Sequence, residues 1–128
     1  MVLVDTSVWL RFLANREPFA TALDRLLAAG DVVGHEMVFG ELLMGDVGGG
    51  RAGLLSDYEL MVQTAPVRHM EVVTFVRARG LHGRGVGWVD VHLLASALAG
   101  GFLLWTADEP LEAIASKLRI DYTDPAPG

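Results

Sequence analysis

The sequence predicts a parallel α/β sandwich, and three observations carry that prediction. Short apolar runs suited to buried strands recur at 2–4, 32–33 and 102–105. Stretches of helical periodicity separate them, and strands alternating with helices build parallel sheets. The composition also admits a core. Of 128 residues, 52% are apolar and 20% charged. That balance excludes a disordered chain and suits one domain over 1–128.

The elements follow in order. VLV opens the chain as a strand and stops at Asp5, Thr6 and Ser7, after which a helical apolar pattern begins. Phe19, Leu23, Leu26 and Leu27 recur at helical spacing, with Pro18 suited to a first turn and Gly30 to an exit. Further helices are expected over 35–45, 51–64, 70–79, 89–99 and 110–118, and a weaker strand over 120–122. The glycine-rich stretch 45–51 reads as a flexible connection; it lacks the Lys-Ser/Thr ending of a phosphate-binding loop. The stretch LHGRGVGW (81–88) reads as a second loop. Its glycines follow no strand, so a dinucleotide fingerprint does not fit.

Several function classes drop out at once. There are no cysteines, hence no disulfide, thiolate metal site or Cys nucleophile. No apolar run is long enough to span a membrane, and the first residues lack a signal-peptide pattern. A cytoplasmic protein without a membrane role is expected.

Four carboxylates stand out. Asp5 ends the first strand, where ligands of open parallel sheets bind. Asp108 repeats the arrangement after the apolar run 102–105, with Thr106 between. Glu41 has Met37 and Val38 four and three residues before it and Met44 three after, which places it in an apolar stripe. Asp90 continues the stripe of Leu93, Leu94, Ala97 and Leu98 into a first helical turn. Each has a local alternative: Asp5, Asp90 and Asp108 could be helix caps, and Glu41 could have an Arg partner. Ser7 or Thr6 could do the capping instead of Asp5. One shared explanation covers all four: the acids converge. Clustered carboxylates repel unless a cation neutralises them. All-oxygen ligation selects Mg²⁺ or Mn²⁺, which serve phosphoryl chemistry. His92, with no second His or Cys in register, is a weak metal candidate.

The segments VLVDTSVWL, VFGELLMG (38–45), GWVDVHLLASAL (87–98) and LLWTADEPL (103–111) carry a resemblance. In this order they resemble the PIN-domain ribonucleases, and among these the VapC toxins of VapBC toxin–antitoxin pairs. The resemblance implies a three-layer α/β/α sandwich around a short, mostly parallel sheet. It implies a catalytic and metal-binding set of Asp5, Glu41, Asp90 and Asp108, lined by Thr6 and Thr106. It further implies a Mg²⁺- or Mn²⁺-dependent endoribonuclease cutting transfer or ribosomal RNA, a VapB antitoxin, and a homodimer. Residues 46–84 are not diagnostic.

The formal net charge of −6 is unusual for an RNA-binding protein. With the four acids set aside, 12 acids face 10 Lys and Arg, a balance of −2. RNA contacts must then be local. Arg68, Arg77, Arg79 and Arg84, with His69 and His82, are the candidates; a solvated helix face and loop would look the same. Apolar positions at Trp9, Leu10, Leu13, Leu54, Leu55 and Met61 could form a dimer interface or antitoxin groove, though core is the default. Methionines such as Met37 and Met44 could make an adaptable partner surface. Two other readings remain open. One is a PIN-like interaction module that has lost catalysis. The other is a haloacid-dehalogenase-like Mg²⁺ phosphatase, which would want an Asp where Ser7 stands.

Overall fold

The computed structural model describes residues 1–45 and 50–125. Three strands, β1 (Val2–Val4), β2 (Val32–Val33) and β3 (Leu103–Trp105), form one parallel sheet in the order β2-β1-β3. The register pairs Leu3 with Val33 and Val4 with Trp105. The expected fourth strand is reduced to a single parallel bridge from Leu104 to Asp121. Around the sheet pack α1 (Thr6–Leu13), α2 (Phe19–Ala28), α3 (Glu36–Met44), α4 (Arg51–Leu60), α5 (His69–Arg79), α6 (Trp88–Gly100) and α7 (Glu109–Lys117). The α/β sandwich read from the sequence is therefore the fold. The glycine-rich connection 45–51 falls largely on residues 46–49, outside the described residues.

Short strands suffice because they are buried on both faces, as parallel strands must be. Leu3 and Val4 are fully buried, as are Val8, Leu23, Leu93, Leu94 and Leu104. Each such side chain contributes roughly 1.5–3 kcal/mol through removal from water. The core continues into an aromatic group, where Trp9 meets Phe12 and Tyr58 edge-on with centroids 5.9 and 5.5 Å apart. Helix α6 carries the longest buried stretch, Val91 to Ala97, and ends at Gly101 in the left-handed region, φ 71°. There the Phe102 N–H returns to the Ala97 carbonyl at 2.9 Å and turns the chain into β3.

Two sequence readings change here. Val38 and Leu42, four apart, form the buried face of α3, whereas Glu41 is exposed and Met44 is 86% exposed. The stripe that seemed to hold Glu41 is therefore not the face α3 buries. Ser7 does not cap α1 either. Asp5 occupies the N-cap position without a side-chain cap bond, and the Ser7 hydroxyl turns to other partners.

Parallel pairing brings all three strand ends to one edge of the sheet. Asp5 follows β1, His35 stands two residues beyond β2, and Thr106 follows β3. The Asp5 N–H donates to the Trp105 carbonyl at 2.9 Å, which fixes Asp5 beside Thr106.

Candidate active site

Asp5 is 6% exposed, and hydroxyls surround its carboxylate. Its Oδ2 accepts from Ser7 Oγ at 2.7 Å and from Thr106 Oγ1 at 2.8 Å. Thr106 Oγ1 in turn accepts from the Asp108 N–H at 3.0 Å, and Ser7 Oγ accepts from the Ala107 N–H at 3.0 Å. These bonds lock the ends of β1 and β3 together. They also link Asp5 to Asp108 through one hydroxyl.

The other acids are held in the same manner. Asp108 is the N-cap of α7, its Oδ2 accepting from the Leu111 N–H at 3.1 Å. Asp90 sits in the first turn of α6, its Oδ2 accepting from the Gly87 N–H at 2.9 Å. This is half of a capping box; Gly87 has no side chain to complete it. Glu41 accepts from the Thr6 hydroxyl, Oγ1 to Oε1 at 2.5 Å. The capping explanation thus holds for Asp108 and Asp90, yet it uses only one oxygen of each. In all four carboxylates one oxygen is held, and the other makes no hydrogen bond to any described residue.

Asp90 senses the other three acids. Burial raises the pKa of Asp90 above its ordinary value, the Gly87 N–H opposes this, and the charges of Asp5, Asp108 and Glu41 raise it further. Charge from three other chain segments therefore reaches Asp90. No three Asp, Glu or His side chains among the described residues stand close enough to share an ion. In chemical type the donors fit a hard divalent cation: four carboxylates, each with an oxygen to spare, and no thiolate.

The candidate RNA-binding arginines are spread from the start of α5 to the loop that follows it. Arg68 is the N-cap of α5 and pairs with Glu71 at 3.1 Å. Arg77 and Arg79 lie in the last turn of that helix, roughly 15 Å along its axis. Arg84 is exposed in the following loop. The last-turn arginines also suit the helix dipole.

Sequence reasoning passed over two side chains. Ser7 was read as a possible cap and instead bridges Asp5 to Ala107. His35 drew no role. Its Nδ1 accepts from the Met37 N–H at 3.0 Å and its Nε2 meets Ser96 Oγ at 3.0 Å, so it caps α3 and ties it to α6. The available signal was its position: a polar residue between a strand end and a helix start, as for Asp5 and Asp108.

No helix among the described residues is long and apolar enough to cross a membrane. Residues 2–117 match the PIN domain. The chain is also similar to Ribonuclease VapC32 from two strains of Mycobacterium tuberculosis. Each match is 39% identical over 118 residues, covering 91% of this chain and 92% of the relative. The chain therefore belongs to the PIN-domain family, in its VapC ribonuclease branch.

Proposed function

We propose that the protein is a divalent-metal-dependent endoribonuclease, the toxin of a toxin–antitoxin pair, with residues 1–128 acting as one PIN domain. The observation that carries the reading is the match of residues 2–117 to the PIN domain, beside four carboxylates each fixed through one oxygen only. Similarity to Ribonuclease VapC32 supports RNA as the substrate. Asp5, Asp90 and Asp108 would hold Mg²⁺ or Mn²⁺, directly or through water, with Glu41 joining them or orienting the attacking water. Such an ion, when bound, polarises the scissile phosphate and favours ionisation of water.

The chain's own residues provide position. Ser7 and Thr106 fix the Asp5 carboxylate, and Thr6 fixes Glu41. The α6 and α7 N-termini hold Asp90 and Asp108. In-line attack by water on the phosphodiester would leave 5′-phosphate and 3′-hydroxyl ends, without a Ser, Thr or 2′-hydroxyl nucleophile. The substrate we expect is structured transfer or ribosomal RNA, met in the cytoplasm. A VapB-type antitoxin and a second copy of the chain are the expected protein partners. An apolar groove of about 380 Å³ between α1 and α4, lined by Trp9, Phe12, Leu13, Leu54 and Met61, supports an antitoxin segment covering the protein.

The absence of three close acids among the described residues is also what an inactive interaction module would display. One experiment separates the two. Wild type should cleave RNA with added Mg²⁺ or Mn²⁺ and should melt at higher temperature in their presence. Asp90→Asn should lose both, with cleavage falling by roughly 100-fold or more, as expected when a group acting in the transition state is removed. Full cleavage by folded Asp90→Asn or Asp5→Asn would refute the assignment of the site.

A further inference from the structure

A second polar cavity of about 320 Å³ lies outside the four-acid cluster, at the low end of the size range for small-molecule pockets. His35, Glu36, Gln63, Thr64, Pro66, Val67 and His92 line it. Helix α6 provides the connection to the acids. Asp90 and His92 are two positions apart, so they project from opposite sides of the same turn. A strand of RNA lying over the acids would cross the α6 N-terminus to reach this cavity.

His92 is the informative wall. It is 7% exposed, yet neither ring nitrogen bonds to a described residue. Those nitrogens are not sealed from solvent, so they are open to bond a molecule that enters the cavity. An aromatic column extends from it. Trp88 meets His92 edge-on at 4.9 Å, and His69 lies 5.3 Å beyond Trp88. Trp88 is 44% exposed at the helix start.

The remaining chemistry selects the occupant. Glu36 disfavours phosphate and favours N–H donors. Gln63 adds an acceptor. Its Nε2 is already committed to the Tyr58 and Met61 carbonyls, both at 3.1 Å, which leaves Oε1 without a described partner. Gly34 secures this placement, because any Cβ there would overlap the Gln63 amide. Apolar walls from Pro66 and Val67, flanking aromatics and acceptor groups suit an unstacked base better than sugar or phosphate. Guanine alone among the RNA bases offers an imino and an amino N–H side by side, which matches a carboxylate.

We propose that this cavity is a specificity subsite for one unstacked guanine of the RNA, read by Glu36 and packed against His92, which Trp88 braces edge-on from outside the cavity. The proposal rests on the ribonuclease reading above. The test is equilibrium binding of fluorescent uridine oligomers carrying one central guanosine, one adenosine or neither, in chelator so that no metal-dependent cleavage intervenes. Wild-type cleavage of bulk RNA with Mg²⁺ is measured alongside. The guanosine oligomer should bind roughly tenfold more tightly, as for one well-formed base contact. Glu36→Gln, a conservative change at an exposed position, should abolish the preference and leave affinity for the plain oligomer unchanged. Trp88→Phe should keep the preference and Trp88→Ala should weaken it. If bulk RNA is cleaved but guanosine gives no advantage, or the advantage survives Glu36→Gln, the subsite is refuted alone. If RNA is neither bound nor cleaved, the ribonuclease reading falls and the subsite falls with it.

Discussion

Thr106→Val removes one oxygen and almost no volume, from a position 7% exposed. Two bonds go with it. The Thr106 hydroxyl donates to the Asp5 carboxylate at 2.8 Å, and a hydrogen bond to a charged group contributes about 1.5–3 kcal/mol. The Asp108 N–H also loses its acceptor at 3.0 Å; Asp108 is exposed, so water can replace much of that loss. The buried methyl of Val offsets about 0.8 kcal/mol. The expected destabilisation is therefore about 2 kcal/mol. For a chain of this size that lowers the melting temperature by roughly 8 °C. Urea denaturation followed by circular dichroism measures it directly. Thr106→Ser, which keeps the oxygen and loses a methyl, should cost about 1 kcal/mol. A double-mutant cycle with Asp5→Asn should give a coupling of about 1 kcal/mol, because the two groups touch. If Thr106→Val is as stable as wild type, or no worse than Thr106→Ser, the hydroxyl does not lock β1 to β3.

Three further predictions concern other parts of the fold. Burial lowers the pKa of His35, the nearby charge of His92 lowers it further, and Glu36 opposes both. The unfolded chain therefore binds that proton more readily. The stabilisation is complete above the unfolded value of 6.5 and is lost as pH falls from there toward the folded value. The urea midpoint should drop between about pH 7.5 and about pH 5.5, and drop less in His35→Asn, which keeps a capping oxygen. An equal drop in that variant would assign the effect elsewhere. Gly34→Ala should displace the Gln63 amide from two carbonyls and cost about 1–3 kcal/mol. In a Gln63→Ala background it should cost little, and a full cost there would mean the clash lies elsewhere. Replacing Arg79 and Arg84 together with Gln should weaken RNA binding and reduce the salt slope by roughly 0.7 per lost phosphate contact. Unchanged affinity and slope would show these arginines to be a solvated surface.

Much of the architecture was legible because buried parallel strands are written as apolar runs. The three runs became β1, β2 and β3 almost to the residue. Their spatial order was not written there, since register depends on packing between distant segments. The acids stand out in the sequence because each sits at a strand end or in an apolar stripe, although Asp90 and Asp108 also serve as local caps. The face of Glu41 was misread because α3 is apolar nearly all round, so three apolar neighbours could not distinguish the buried side. Burial of Val38 and Leu42 makes that choice, and the Thr6 hydroxyl, 35 positions away, meets Glu41 on the other side. Ser7 was misread for a related reason. A hydroxyl after a strand looks like a cap when its partners, Asp5 and Ala107, cannot be seen together.

The bond from Thr106 to Asp5 closes a span of 101 positions. Asp5 is made 101 positions before Thr106, the residue that fixes it, and Asp108 follows Thr106. No fragment that stops before Asp108 contains the whole set. Any chemistry that needs all four acids therefore waits on a closure between two ends of the fold that are far apart in the chain.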